Sequence, residues 1–204
     1  MERSIEDGVV LAVMDRPERR NALDRGTVAA LAQVFDGDQS EPLPVVLTAT
    51  GTTFCAGFDL TTQDEGAAFK VDADHLFASM LSYPAPIIAA LNGPAVGMGA
   101  VLAATCDTRI GCTSSWLEIP AARLGVVLDV DYVKRVRDRL GIAAAQLLFV
   151  ASRRIDASRA VELGALHALA DDPVAEARDW ATHAAALHGN SLAAHKRFCL
   201  LYTS

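Results

Sequence analysis

An α/β fold is what this 204-residue sequence predicts, on three observations. Short runs rich in β-branched and aliphatic residues, Val9–Met14, Val45–Ala49 and Ile87–Leu91, are bounded by Gly, Pro and polar turns and read as buried strands. Between them lie stretches with apolar residues at helical spacing, such as Val28, Leu31, Ala32 and Phe35. Helical patterns then dominate the last third. Strand–helix alternation followed by helices favours a layered core with a helical region packed against it.

Taken in order, the first strand leads into Asp15-Arg16-Pro17-Glu18-Arg19-Arg20-Asn21, a polar loop with three arginines, and Asp24 caps the next helix. An acidic, proline-bearing loop (36–44) precedes the Val45 strand. Gly51 ends that strand, and a second run from Phe54 closes on Ala56-Gly57-Phe58-Asp59. Gly57 permits a sharp turn and a close approach to main-chain atoms. Residues 61–73 are expected to form a mobile loop, and a helix carrying Leu76 and Met80 runs on until Pro84 and Pro86 stop it. After Ile87–Leu91 come Asn92-Gly93-Pro94 and then Gly97-Met98-Gly99, which open an alanine-rich helix. Strands are expected at Thr108–Cys112 and near Trp116–Ile119. A helix over 130–140 should turn Val133, Val136 and Leu140 inward and Lys134, Arg135, Arg137 and Arg139 outward. Gly141 and Gly164 punctuate the remainder, Asp156 caps one helix, and Asp172-Pro173 begins another.

Composition narrows the function classes. A net charge of −7 and a pI near 5.1 argue against a general nucleic-acid or anionic-membrane binder. Cys55, Cys106, Cys112 and Cys199 lack CxxC spacing and read as reduced core or near-core thiols of a cytoplasmic protein. No apolar run is long enough to span a bilayer, and Glu2, Arg3, Glu6 and Asp7 interrupt any leader-like N-terminal run. The five histidines show no metal-ligand spacing.

The two glycine turns carry the chemistry. A backbone N–H fixed in a tight turn, or orphaned at a helix N-terminus, suits a developing oxyanion. One such group belongs to the turn at Gly57, the other to the helix start at Gly97-Met98. The motifs RPERRNAL (16–23), FCAGFDL (54–60), IIAALNGPAVGMG (87–99) and CDTRI (106–110), with RIDASRAVELGAL (154–166) further on, together resemble the crotonase (enoyl-CoA hydratase/isomerase) superfamily from about Gly8 to Lys196.

That resemblance implies a ββα spiral core over residues 1–140 and a helical C-terminal segment over 141–204, shorter than in relatives. Relatives assemble as trimers through further helices, so this chain is expected to assemble poorly. The implied substrate is an acyl-CoA thioester, with its carbonyl between the Phe58 and Met98 N–H groups and coenzyme A as part of the substrate, not a separate cofactor. Positions matching coenzyme A contacts are Arg19, Arg20, Ala22, Ala56, Asp59, Leu60 and Gly97, the guanidinium groups being suited to phosphate. Hydratases of the family move protons with two glutamates. Those positions match Val101 and Ala121 here, as in members that lack both, and Glu118 lies three residues from the second. Asp129 matches a position where some isomerases and dehalogenases carry a catalytic aspartate. Burial beside an acyl chain would raise its pKa, but Asp129 can equally serve as a helix cap. Two functions stay open: an isomerase or related lyase acting on acyl-CoA, and a non-catalytic fatty acyl-CoA binder or carrier.

Overall fold

Each apolar run expected to be a strand is one in the computed structural model, which describes residues 1–37, 40–61 and 66–201. β1 (Glu2–Glu6), β2 (Val9–Met14), β3 (Val45–Ala49), β4 (Ile87–Leu91), β6 (Thr108–Gly111) and β9 (Ala168–Leu169) form one sheet in the order β1-β2-β3-β4-β6-β9. Only β1 runs antiparallel to its neighbour. A smaller sheet joins β5 (Ala95–Val96), β7 (Trp116–Glu118) and β8 (Ile155–Asp156).

Every residue of β3 and β4 is buried, because the central strands are covered on both faces. On one face lie α1 (Arg25–Phe35) and α2 (Gly66–Ser82), through Val28, Leu31, Phe69, Leu76, Phe77 and Met80. On the other, α7 (Pro173–Ala185) lays Ala177 and Ala181 against Val9, Val46 and Ile88. α3 (Met98–Thr105) is enclosed, and its Gly99 has no room for a side chain: a Cβ there would lie 2.3 Å from the Cys55 carbonyl oxygen. α4 (Val130–Leu140), α5 (Ile142–Ala145) with a π-helical turn at Gln146–Val150, α6 (Ala157–Glu162) and α8 (Gly189–Leu201) complete the chain. The caps fall where acidic residues precede helical patterns. Asp24 accepts from the Thr27 N–H, Asp156 from Arg159, and Asp172 from Val174 and Ala175.

Several expectations need correction. α2 begins at Gly66, so most of the stretch expected as a mobile loop is helix, and residues 62–65 lie outside those described. β1 has alternating charge and little burial, so no apolar signal marks it. It forms because Asp7 and Gly8, both with positive φ, fold it back on β2. β8 and β9 interrupt the C-terminal segment and tie it into both sheets. In α4 the buried residues are Tyr132, Val136 and Leu140. Arg135 is drawn in over the Phe77 ring, and Arg139 stacks its charge near Asp107 with a side chain only 14% exposed. Cys55 and Cys106 are buried, and burial pushes each thiol up to about 12, but Cys112 is half-buried and Cys199 exposed.

Candidate functional site

Two short main-chain pairings assemble the site. Cys55 pairs in parallel with Ala95: the Cys55 N–H donates to the Pro94 carbonyl at 3.1 Å, and the Cys55 carbonyl accepts from Val96 at 2.8 Å. Because this register offsets the two segments by 40 positions, Phe58 and Met98 emerge side by side three residues later. Their closeness has a direct measure. A Cβ at Gly57, whose φ is +95°, would lie 2.7 Å from the Val96 oxygen and 3.3 Å from the Met98 nitrogen. Met98 is the first residue of α3, preceded by Gly97 at φ +54°. Among the described residues neither the Phe58 nor the Met98 N–H has a hydrogen-bond partner, whereas the neighbouring Gly97 N–H is spent on the Glu118 carbonyl.

Both residues line a cavity of about 570 Å³. Ala56, Gly57, Phe58 and Leu60 form one wall, Val96, Gly97 and Met98 a second, and Gly66, Phe69 and Lys70 of α2 a third. Ile119 to Ala121, Leu124, Val126 to Asp129 and Tyr132 close it. Phe58 packs on Phe69 with ring centroids 4.4 Å apart, so the wall beside the paired amides is aromatic. Val101, fully buried in α3, does not line the cavity, while Ala121 does. The Glu118 carboxylate is turned to Arg123 instead.

Asp129 borders the cavity and caps α4, accepting from the Asp131 N–H at 3.0 Å. The Lys70 ammonium lies 3.2 Å from its other oxygen and 2.6 Å from Asp74, which in turn accepts from the Tyr132 hydroxyl at 2.7 Å. The rise expected for Asp129 is therefore reversed. The Asp131 N–H and then Lys70 hold its carboxyl below the usual range, because the anion is solvated by donors and only slightly desolvated. Lys70 is shifted up by the same two carboxylates, Asp74 first. Nothing in the local sequence tied Lys70 to Asp129, which is 59 positions away; its nearer partner, Asp74, is one helical turn on. The helical spacing of Phe69, Ala73 and Phe77 is the one signal that it flanks a buried face.

The other expected contacts divide. Ala56, Leu60 and Gly97 line the cavity. Ala22 and Asp59 are both buried. The Asp59 carboxylate accepts from the Thr61 hydroxyl and N–H and from Arg16 at 3.1 Å, which together keep it ionised. Asp59 thus braces the loop from within and leaves no carboxylate for a ligand. Arg16 also pairs with Asp24 at 3.0 Å and donates to the Ala22 carbonyl, so of the three arginines only Arg19 and Arg20 stay exposed. Asn21, 1% exposed and in the left-handed region, is the hub overlooked in the sequence. Its side chain accepts from the Arg16 N–H and donates to the Thr50 and Thr53 carbonyls, while the Arg20 carbonyl accepts from Ala56. These bonds fix Arg19 and Arg20 beside the Gly57 turn. Among the described residues no three His, Cys, Asp or Glu side chains gather as a metal would require, and no helix is long and apolar enough to cross a membrane.

Strand–turn units stacked as a ββα spiral, with two free amides over an apolar cavity, define the crotonase fold class. Residues 4–198 match the family model described as enoyl-CoA hydratase/isomerase. The Mycobacterium tuberculosis protein named "Probable enoyl-CoA hydratase echA6" is 32% identical over 183 residues, 89% of this chain and 74% of its own. An enoyl-CoA hydratase/carnithine racemase of Magnetospirillum magneticum superposes with a TM-score of 0.89 at 26% identity, over 99% of this chain and 83% of that one. A Thermobifida fusca YX protein crystallised in complex with CoA gives 0.87 at 25% identity, over 98% and 84%. The chain belongs to the enoyl-CoA hydratase/isomerase family.

Proposed function

We propose that this protein binds an acyl-CoA thioester and polarises its carbonyl between the Phe58 and Met98 N–H groups. The observation that carries this reading is the juxtaposition of two unpartnered amides on an apolar cavity, the arrangement that stabilises an enolate or tetrahedral oxyanion most effectively. Arg19 and Arg20 stand on the exposed side of the same turn, where the coenzyme A phosphates would meet them. Among the described residues Asp129 is the one carboxylate lining the cavity. Held ionised, it serves as a proton acceptor, not a donor, which favours proton transfer next to the thioester over hydration by a two-carboxylate mechanism.

A second reading, an acyl-CoA binder without turnover, is favoured by one feature. Asp129 is already engaged by Lys70 and by its own helix. Solvent deuterium exchange separates the two. Exchange into bound acyl-CoA in wild type that disappears in Asp129→Asn, with binding kept, supports the acid–base role. Asn caps nearly as well as Asp, so the variant should fold normally. No exchange in either protein leaves the binder. In both readings a chromophoric acyl-CoA should shift its absorbance on binding, and addition of water to an enoyl-CoA should be at least ~10⁴-fold slower than with a two-glutamate site. Hydration at ordinary enzyme rates would sink both.

A further inference from the structure

The cavity does not end in an apolar wall; it ends in apolar side chains that stand in solvent. Leu124, Val126 and Val127 all line it, yet they are 60%, 53% and 94% exposed. They belong to the segment between the 3-10 turn Ala122–Leu124 and α4, where Gly125 takes φ +67° and, among the described residues, the Val127 and Leu128 N–H groups have no partner. Apolar side chains presented this way beside a cavity mark a surface that a ligand completes.

We propose that this segment is the outer half of the acyl site, and that the substrates are long-chain acyl thioesters whose distal methylenes lie along Leu124, Val126 and Val127. The inference rests on the acyl-CoA reading above and adds the chain length. Two observations choose this occupant. The rim is continuous with the cavity that holds the paired amides, so one chain running outward from the thioester meets it without a break. Among the described residues the charged side chains lining the cavity are Lys70 and Asp129, which are engaged with each other and, for Lys70, with Asp74, so the rim that Leu124, Val126 and Val127 present is apolar.

The test is calorimetric titration of full-length protein with a saturated series, hexanoyl-, decanoyl- and hexadecanoyl-CoA, each below its micelle concentration. Each methylene withdrawn from water tightens binding by about fourfold, so four methylenes on the rim give roughly 200-fold. Affinity should therefore keep rising beyond decanoyl, and Val127→Asp and Leu124→Asp should each reduce the hexadecanoyl-to-hexanoyl ratio by at least tenfold. Val150→Asp, at a position 82% exposed and outside the cavity lining, should leave the ratio as it is. A flat series, or a ratio that survives both rim variants, overturns the inference while the acyl-CoA reading stands. No binding by any member overturns that reading itself. Sedimentation showing that wild type self-associates and Val127→Asp does not, with the ratio intact, would assign the rim to a second copy and overturn the inference as well.

Discussion

Replacing Gly57 with alanine perturbs both the turn and the gap between the two amides. At φ +95° an L-residue is strained by about 1–2 kcal/mol. Its Cβ, 2.7 Å from the Val96 oxygen, can be accommodated only if two hydrogen-bonded backbone segments separate, at about 1–3 kcal/mol for overpacking. The reduced freedom of the unfolded chain offsets this by about 0.4–1 kcal/mol. The net is a destabilisation of about 3 kcal/mol, readable as a lower midpoint in urea. The same Cβ stands 3.3 Å from the Met98 nitrogen, so relief of the clash moves one donor away from the other. Loss of one oxyanion donor costs about 10²–10³ in turnover where turnover occurs. In a silent binder the counterpart is loss of the absorbance shift of a bound chromophoric acyl-CoA. A Gly57→Ala protein with wild-type stability and an undiminished shift would refute the geometry on which the site is built.

Three further outcomes follow from the same contacts. Asn21→Ala removes hydrogen bonds to the Arg16 N–H and to the Thr50 and Thr53 carbonyls in a buried place, so unfolding free energy should fall by about 3 kcal/mol. A loss under about 1 kcal/mol would show that water replaces them. His167 accepts from the Arg109 N–H through Nδ1, and burial, aided by the Arg109 charge, lowers its pKa. Protonation thus favours the unfolded chain, and stability should fall as pH drops below about 6.5, before the carboxylates titrate. That slope between pH 7 and 5 should disappear in His167→Asn, and its persistence would assign it to another group. The double change Arg19→Ala/Arg20→Ala should weaken acyl-CoA binding by about 1–2 kcal/mol in calorimetry with the urea midpoint unmoved, whereas equal affinity would remove these arginines from the site.

The sequence by itself determined what is settled within a few residues of chain. Val45–Ala49 and Ile87–Leu91 are apolar, branched and bounded by breakers, and a strand buried on both faces needs nothing more. Asp24, Asp156 and Asp172 cap because the N–H groups they satisfy lie two or three residues ahead. The order of glycine-bearing motifs pointed to the family and to Phe58 and Met98, since a backbone donor is specified by the turn around it.

Tertiary structure decided whatever depends on which distant atoms come close. Gly99 must be glycine because the Cys55 carbonyl approaches from 44 residues away. β1 is polar enough to pass for loop and becomes a strand only because β2 supplies an edge to pair with. Asp59 looked available to a ligand until Arg16 and Thr61 took its oxygens. Asp129 was open to two readings, a carboxyl raised by burial or a helix cap, and the Asp131 N–H and then Lys70 hold its pKa down at the cap. A side chain's pKa and its availability are set by the few ångströms around it. In a folded chain those ångströms are filled by residues that sequence distance does not name.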